Sequence, residues 1–173
     1  MAIVDIVRGK WLGHPLHPGV VHLIVALWPT AFIFDLLTYF NVGGNALVRG
    51  SFWAILIGLL VALVAVPTGL ADFLTIPRDK PAWRLGLYHM MLNVLVAIIF
   101  ALNLGLRINT QTTAVQVDIV PLTLSLIGTV ILAVSGYLGG RMVYQYGIGV
   151  ARFKQDPWRD MAQASGAHLP AES

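Results

Sequence analysis

The sequence predicts an all-α integral membrane protein, a four-helix up-down-up-down bundle with both termini on the cytoplasmic side. Three observations predict it. Four stretches are long and apolar enough to cross a bilayer, the connections between them are short, and Lys and Arg gather on one side. A spanning helix needs roughly 20 mostly apolar residues. The stretches run about Gly19 to Phe40, Phe52 to Leu74, Leu85 to Leu106 and Ile119 to Gly140.

The elements follow in order. Residues 1–18 form a His- and Pro-rich leading segment. Ile3, Val4, Ile6, Val7, Trp11 and Leu12 surround Arg8 and Lys10, the pattern of a short amphipathic helix lying on headgroups. The first span is not expected to be a cleavable signal peptide: it is too long, no A-x-A-like site follows it, and a Pro-rich segment precedes it. The membrane domain occupies 19–140. Pro29 and Pro67 lie inside the first two spans, where each removes a backbone donor and bends its helix. Asn41–Ser51 carries Gly43, Gly44 and Gly50 as turn-formers, and Thr75–Arg84 carries Pro77 and Pro81. Arg107–Asp118 is polar. Short links make successive helices antiparallel neighbours. Residues 141–173 form a polar cytoplasmic tail whose end frays. No repeat of fixed period and no low-complexity tract stands out.

Orientation comes from charge. Arg8, Lys10, Arg78, Lys80, Arg84, Arg141, Arg152, Lys154 and Arg159 fall on one side, and Arg49 and Arg107 on the other. The richer side is cytoplasmic by the positive-inside rule. The same distribution turns the net charge of +3 away from nucleic acid and toward a lipid bilayer. Composition agrees: of 173 residues, 57% are hydrophobic and 11% charged, against about 25% charged in soluble domains. The absence of cysteine excludes disulfides, iron–sulfur ligation and cysteine–zinc sites.

Helices in lipid pack through small residues. The fourth span offers Gly128, Ala133, Ser135, Gly136, Gly139 and Gly140, with Gly136 and Gly140 as a G-x-x-x-G pair. The second offers Gly58, Ala62, Ala65 and Gly69. They serve either plain helix contact or clearance for a flat cofactor.

The most specific local feature is Gly13-His14-Pro15-Leu16-His17-Pro18-Gly19-Val20-Val21-His22, three of the five histidines in nine residues. With a helix starting near Pro18, His22 lies one turn inside the first span. His89 lies about one turn inside the third span, which runs in the same direction, so His22 and His89 are expected at similar depth. Asn93 is one turn after His89. Asp72 ends the second span on the same side. His14, His17, His22, Asp72, His89 and Asn93 are thus expected to converge, with Arg78, Arg84 and Arg141 just beyond. Polar groups at membrane depth usually face the bundle interior.

Three readings compete. In the first, His22 and His89 are axial ligands of a b-type haem, Asn93 and Asp72 support them, and arginines such as Arg84 meet the propionates. In the second, His14, His17 and His22, with Asp72 or His89, hold a non-haem metal, open among Cu, Fe, Ni and Zn. In the third, no cofactor is bound and the groups satisfy one another. Asp35 is separate, expected at the opposite interface in a simple hydrogen bond, with Asn45 or Arg107 as candidate partners.

These residues carry a family resemblance. The GHPLHP start with His22 resembles an uncharacterised bacterial family of four-helix membrane proteins, some of them fused to or encoded beside Rieske-type iron–sulfur domains. The likeness extends over Thr68-Gly69-Leu70-Ala71-Asp72, over Arg84 through His89 and Asn93, over Ser135-Gly136-Tyr137-Leu138-Gly139-Gly140, and over Val143-Tyr144 to Gly147-Ile148-Gly149-Val150. It implies a redox neighbourhood. The chain departs from the pattern at Arg141, where an acidic residue is expected, and at Tyr146, where a histidine is frequent. Those departures favour an accessory role.

The leading functional expectation is a small cytochrome-b-like electron-transfer subunit. Its partners would be other membrane redox subunits, with His14 and His17 contacting a quinone or supporting the ligands and Asp72 orienting an imidazole. A non-catalytic accessory subunit and a His-based metal-binding protein are the alternatives. Transport ranks last, since Asp35 is the one charge in the outer half of the spans. No Walker loop, G-x-S-x-G or HExxH motif is present, so no independent catalysis is expected.

Overall fold

In the computed structural model the described residues are 3–13, 15–148 and 165–166. Among them the chain is helical and without strands. Helix α1 spans Ile3–Val7, and a 3-10 turn at Lys10–Leu12 follows. Four long helices come next: α2 Leu16–Tyr39, α3 Gly44–Phe73, α4 Pro81–Arg107 and α5 Ile119–Tyr146. All four are long and apolar enough to cross a membrane. Most of the expected polar tail, including His168, Arg152, Lys154, Trp158 and Arg159, lies outside the described residues.

All four helices exceed in length the apolar stretches that announced them. Helix α2 begins at Leu16, with Pro18 in its first turn, where a missing N–H costs nothing. Helix α3 begins at Gly44, well before Phe52, because Gly43 takes the left-handed conformation (φ 81°) and turns the chain directly into it. Helix α5 runs past Gly140 to Tyr146 and stops at Gly147 (φ 62°), where the amides of Gly147 and Ile148 bond back to the Val143 and Met142 carbonyls. Helix α4 opens on Pro81.

Helix α2 packs mainly on α3, and α4 mainly on α5. Lesser seams join α2 to α5 and α3 to α4 and close the ring. Helices α2 and α4 lie diagonally opposed and fill the centre with large side chains. Trp28 stacks on Phe100 with ring centroids 4.4 Å apart. Ile24, Ala31, Ile55, Ala62, Ala65, Val96 and Leu132 pack around that pair. A β-carbon at Gly58 would strike the Trp28 indole, and one at Gly128 would fall 2.7 Å from the Phe100 ring. Apolar side chains such as Leu63, Leu60, Leu102 and Val130 point outward, the pattern of helices whose solvent is lipid.

The G-x-x-x-G pair does not contribute to these seams. Gly136 meets open space and Gly140 has only Tyr144 of its own helix nearby. Close approach falls instead to Gly128 and Gly139 on the other face of α5 and to Gly58 and Gly69 on α3. Each of these lies under an aromatic or imidazole ring, so the space the glycines clear is filled from within the chain.

Candidate functional site: a pair of imidazoles

Helix α2 presents one stripe inward. Ile24, Trp28, Ala31, Asp35 and Thr38 are buried along it, and His17 continues it upstream, seven residues before Ile24. His22 lies on another face and is exposed. At about 100° per residue, His22 is some 200° around the helix from Ile24. The imidazole that meets His89 is therefore that of His17, with ring centroids 6.5 Å apart and planes at 89°. The expected pairing of His22 with His89 does not form.

Each ring of this pair is held by the neighbouring helix. The Nδ1–H of His17 donates to the Ala65 carbonyl of α3 at 2.9 Å, with the Thr68 hydroxyl 3.4 Å away. Thr68 itself donates to the Val64 and Ala65 carbonyls. The Nδ1–H of His89 donates to the Ser135 carbonyl of α5 at 2.8 Å, and the Ser135 hydroxyl lies 3.0 Å from the same nitrogen. A β-carbon at Gly69 would fall 2.7 Å from Cε1 of His17, and one at Gly139 would fall 3.0 Å from Cε1 of His89. Both imidazoles thus rest on glycine shelves. Because Nδ1 carries the proton in both rings, Nε2 is the nitrogen with the available lone pair. On His89 that nitrogen accepts from the Asn93 amide at 3.0 Å, and the amide also donates to the His89 carbonyl at 2.9 Å.

The remaining expected members divide. His14 lies outside the described residues. Asp72 is buried, and its carboxylate accepts from Arg8 Nε at 2.8 Å, which ties the leading segment to the end of α3. Asp72 therefore serves an arginine rather than orienting an imidazole by a hydrogen bond. Arg78 and Arg84 are exposed, and Arg141 donates to Gln145 one turn along α5. Among the described residues, no group of three or more His, Asp or Glu side chains is placed to share a metal ion.

A second polar centre exceeds what the sequence suggested. Arg107 closes α4 rather than opening a loop, and its side chain is buried. It pairs with both oxygens of Asp35, at 2.6 Å each. Its Nη1 also reaches Ser51 at 2.8 Å, its Nη2 reaches Ser125 at 3.4 Å, and its Nε reaches Asn103 at 2.8 Å. All five guanidinium protons are thereby used. Asn103 donates onward to the Pro121 carbonyl and Ser125, and Ser125 donates to Asp35. The signal for this network was available: Asp35 follows His17 by 18 residues, five full turns, so it shares the inward stripe. Arg107 follows His89 by the same interval.

A family model described as predicted membrane protein (DUF2231) matches residues 13–152. The chain belongs to that family. Both polar centres of this DUF2231 protein lie within the matched residues, whereas Arg8, which holds Asp72, lies before them. The family's function is unknown. No curated protein and no solved structure matches the chain.

Proposed function

We propose that this protein is a small electron-transfer subunit of a bacterial inner membrane, holding a b-type haem between α2 and α4 through His17 and His89. The observation that carries the reading is the imidazole pair itself. Ligating histidines characteristically donate their second ring N–H to a carbonyl or carboxylate, and both Nδ1 groups do so here. Two metal–nitrogen bonds of about 2.0–2.1 Å, plus a little over 1 Å from each nitrogen to its ring centre, set ligating imidazoles roughly 6.3 Å apart. The separation of 6.5 Å suits that geometry. Haem iron takes four nitrogens from the porphyrin and asks the protein for two. The described residues supply two imidazoles and no third ligand beside them, which favours haem over a bare copper or zinc ion.

Bound haem would supply one-electron chemistry. The chain's own residues orient and tune it. The Ala65 and Ser135 carbonyls fix both tautomers, and Gly69 and Gly139 leave room for the rings. Asn93 must turn from Nε2 of His89 for that nitrogen to ligate, while its bond to the His89 carbonyl can persist. Arg84, exposed in the first turn of α4, is a cation available to a propionate. Contacts between early α2 and late α3, and between early α4 and late α5, support helices that alternate in direction. The Lys and Arg bias supports both termini in the cytoplasm. The GHPLHP resemblance supports Rieske-type or quinone-linked redox neighbours.

A second reading, a non-catalytic accessory subunit of a larger redox complex, draws on the open outer face of α5, where Gly136 meets open space and Tyr137 and Tyr144 stand exposed. One experiment separates the two. The protein is purified in detergent from haem-replete cells and its dithionite-reduced absorption spectrum recorded. The expected result is a Soret band that disappears in His17→Ala and in His89→Ala. A colourless wild-type protein that co-purifies with larger membrane subunits sinks the haem reading and leaves the accessory one.

A further inference from the structure

The three central contacts between α2 and α4 share one interval. His17 faces His89, Trp28 stacks on Phe100, and Asp35 pairs with Arg107. Each pair is separated by 72 positions (17 to 89, 28 to 100, 35 to 107). Ile24 and Val96, and Ala31 and Asn103, are buried at the same interval. Helices α3 and α5 correspond at 70 positions. Gly58 and Gly128 lie under the two stacked aromatics, and Gly69 and Gly139 lie under the two imidazoles. The Ala65 and Ser135 carbonyls accept the two Nδ1 protons. The helix seams match too, since exchanging α2 with α4 and α3 with α5 carries each major seam onto the other and each minor seam onto the other.

We infer that the molecule is two copies of one helical hairpin, α2–α3 and α4–α5, paired face to face about a two-fold axis, and that the imidazole site is a single on-axis site built from two equivalent halves. The recognition surface of each hairpin is its axial stripe, and the partner it fits is a hairpin of the same kind. This corrects the sequence expectation of no repeat, and it stands whatever the site binds.

The repeat escapes a search for identical residues because the axial pairs are complementary rather than alike. Two aspartates or two arginines meeting on the axis would repel inside a buried environment. Asp35 with Arg107 reverses that, and so selects the pairing of unlike hairpins over like ones. The halves also differ beside the imidazoles. Val21 stands where the second hairpin has Asn93, and Ala65 where it has Ser135. Both changes add polar groups at His89, while Thr68, where the second hairpin has Leu138, places a hydroxyl near His17.

The chain has no cysteine, so pairs of nitroxide labels can be placed in the full-length protein without background. Leu23, Ile57, Leu95 and Ile127 are all exposed and form two equivalent sets. The inference requires the Leu23→Cys/Ile127→Cys distance to equal the Leu95→Cys/Ile57→Cys distance within the labels' rotamer spread. It also requires the exchange Trp28→Phe with Phe100→Trp to restore the melting temperature that each single change lowers, since both rings lie on glycine shelves. Resolvably different distances, or a double exchange whose loss is the sum of the two singles, overturns it.

Discussion

At the Asp35–Arg107 pair a carboxylate and a guanidinium are removed from solvent together. Burying a charge is costly unless its partner and its remaining hydrogen-bonding groups are supplied. Ser51, Ser125 and Asn103 supply them here. Asp35→Ala leaves Arg107 charged and unanswered, so a loss of about 3–5 kcal/mol is expected. The double change Asp35→Leu with Arg107→Met removes both charges and should cost clearly less. Unfolding in mixed micelles of rising SDS content reads both, and equal losses in the two variants would contradict the argument. The glycine shelves give a second test. Gly69→Ala drives a β-carbon against His17 and is expected to lose about 1–3 kcal/mol. Gly139→Ala, with a slightly wider gap, should lose less. Gly136→Ala meets open space, and its better helix propensity should leave stability unchanged or raised by up to about 1 kcal/mol. Thermal unfolding of the three variants gives the order.

At the scale of the element, the direction a helix faces decides which of its histidines can act. Placing the start of α2 near Pro18 made His22 the natural inward residue. Starting from Leu16 and following the buried stripe through Ile24, Trp28 and Asp35 selects His17. The four spans were legible because long apolar runs separated by Gly- and Pro-bearing links leave few alternatives. The inward face of each was harder to read. Helices α2, α3 and α5 are apolar all round, so the contrast between a buried and an exposed face, which marks a soluble helix, is absent. Polar residues spaced by whole turns carried that information instead: His17 with Asp35, and His89 with Arg107. Arg107 lies just past the apolar run of the third span, and its partner on α2 lets the helix include it. The proximity of Asn93 to His89 was readable from their four-residue spacing; which α2 imidazole faces His89 was not. From the face geometry, His22→Ala should change stability by no more than about 0.5 kcal/mol and leave any visible spectrum intact. The same change at His17 should remove a ligand. If His22→Ala instead abolishes the absorption, the inward face of α2 is wrongly assigned.

At the scale of the whole molecule, the two polar centres bracket the apolar core. His17 and Asp35 are separated by 18 residues, about 27 Å along the helix, close to the roughly 30 Å of bilayer hydrocarbon. An arrangement with the imidazoles at one boundary and the ion pair at the other keeps both away from the midplane, where charge is most expensive. Helices aligned along the membrane normal are expected from that spacing, with the distribution of basic residues predicting which end faces inward. With Arg107 neutralised by Asp35, Arg49 is, among the described residues, the remaining basic residue exposed at the ion-pair end. Arg78, Lys80 and Arg84 are exposed at the other, so burial sharpens the bias that the sequence already carried. The imidazole end should therefore lie at the cytoplasmic boundary. Single cysteines placed in this cysteine-free chain test that directly. Val42→Cys, in the exposed link between α2 and α3, should react with a membrane-impermeant maleimide added to intact spheroplasts. Asp79→Cys, between α3 and α4, should react only once the membrane is permeabilised. The reverse pattern would put the imidazole pair on the outer side, and an electron carrier there would have to exchange with partners on that side of the membrane rather than in the cytoplasm.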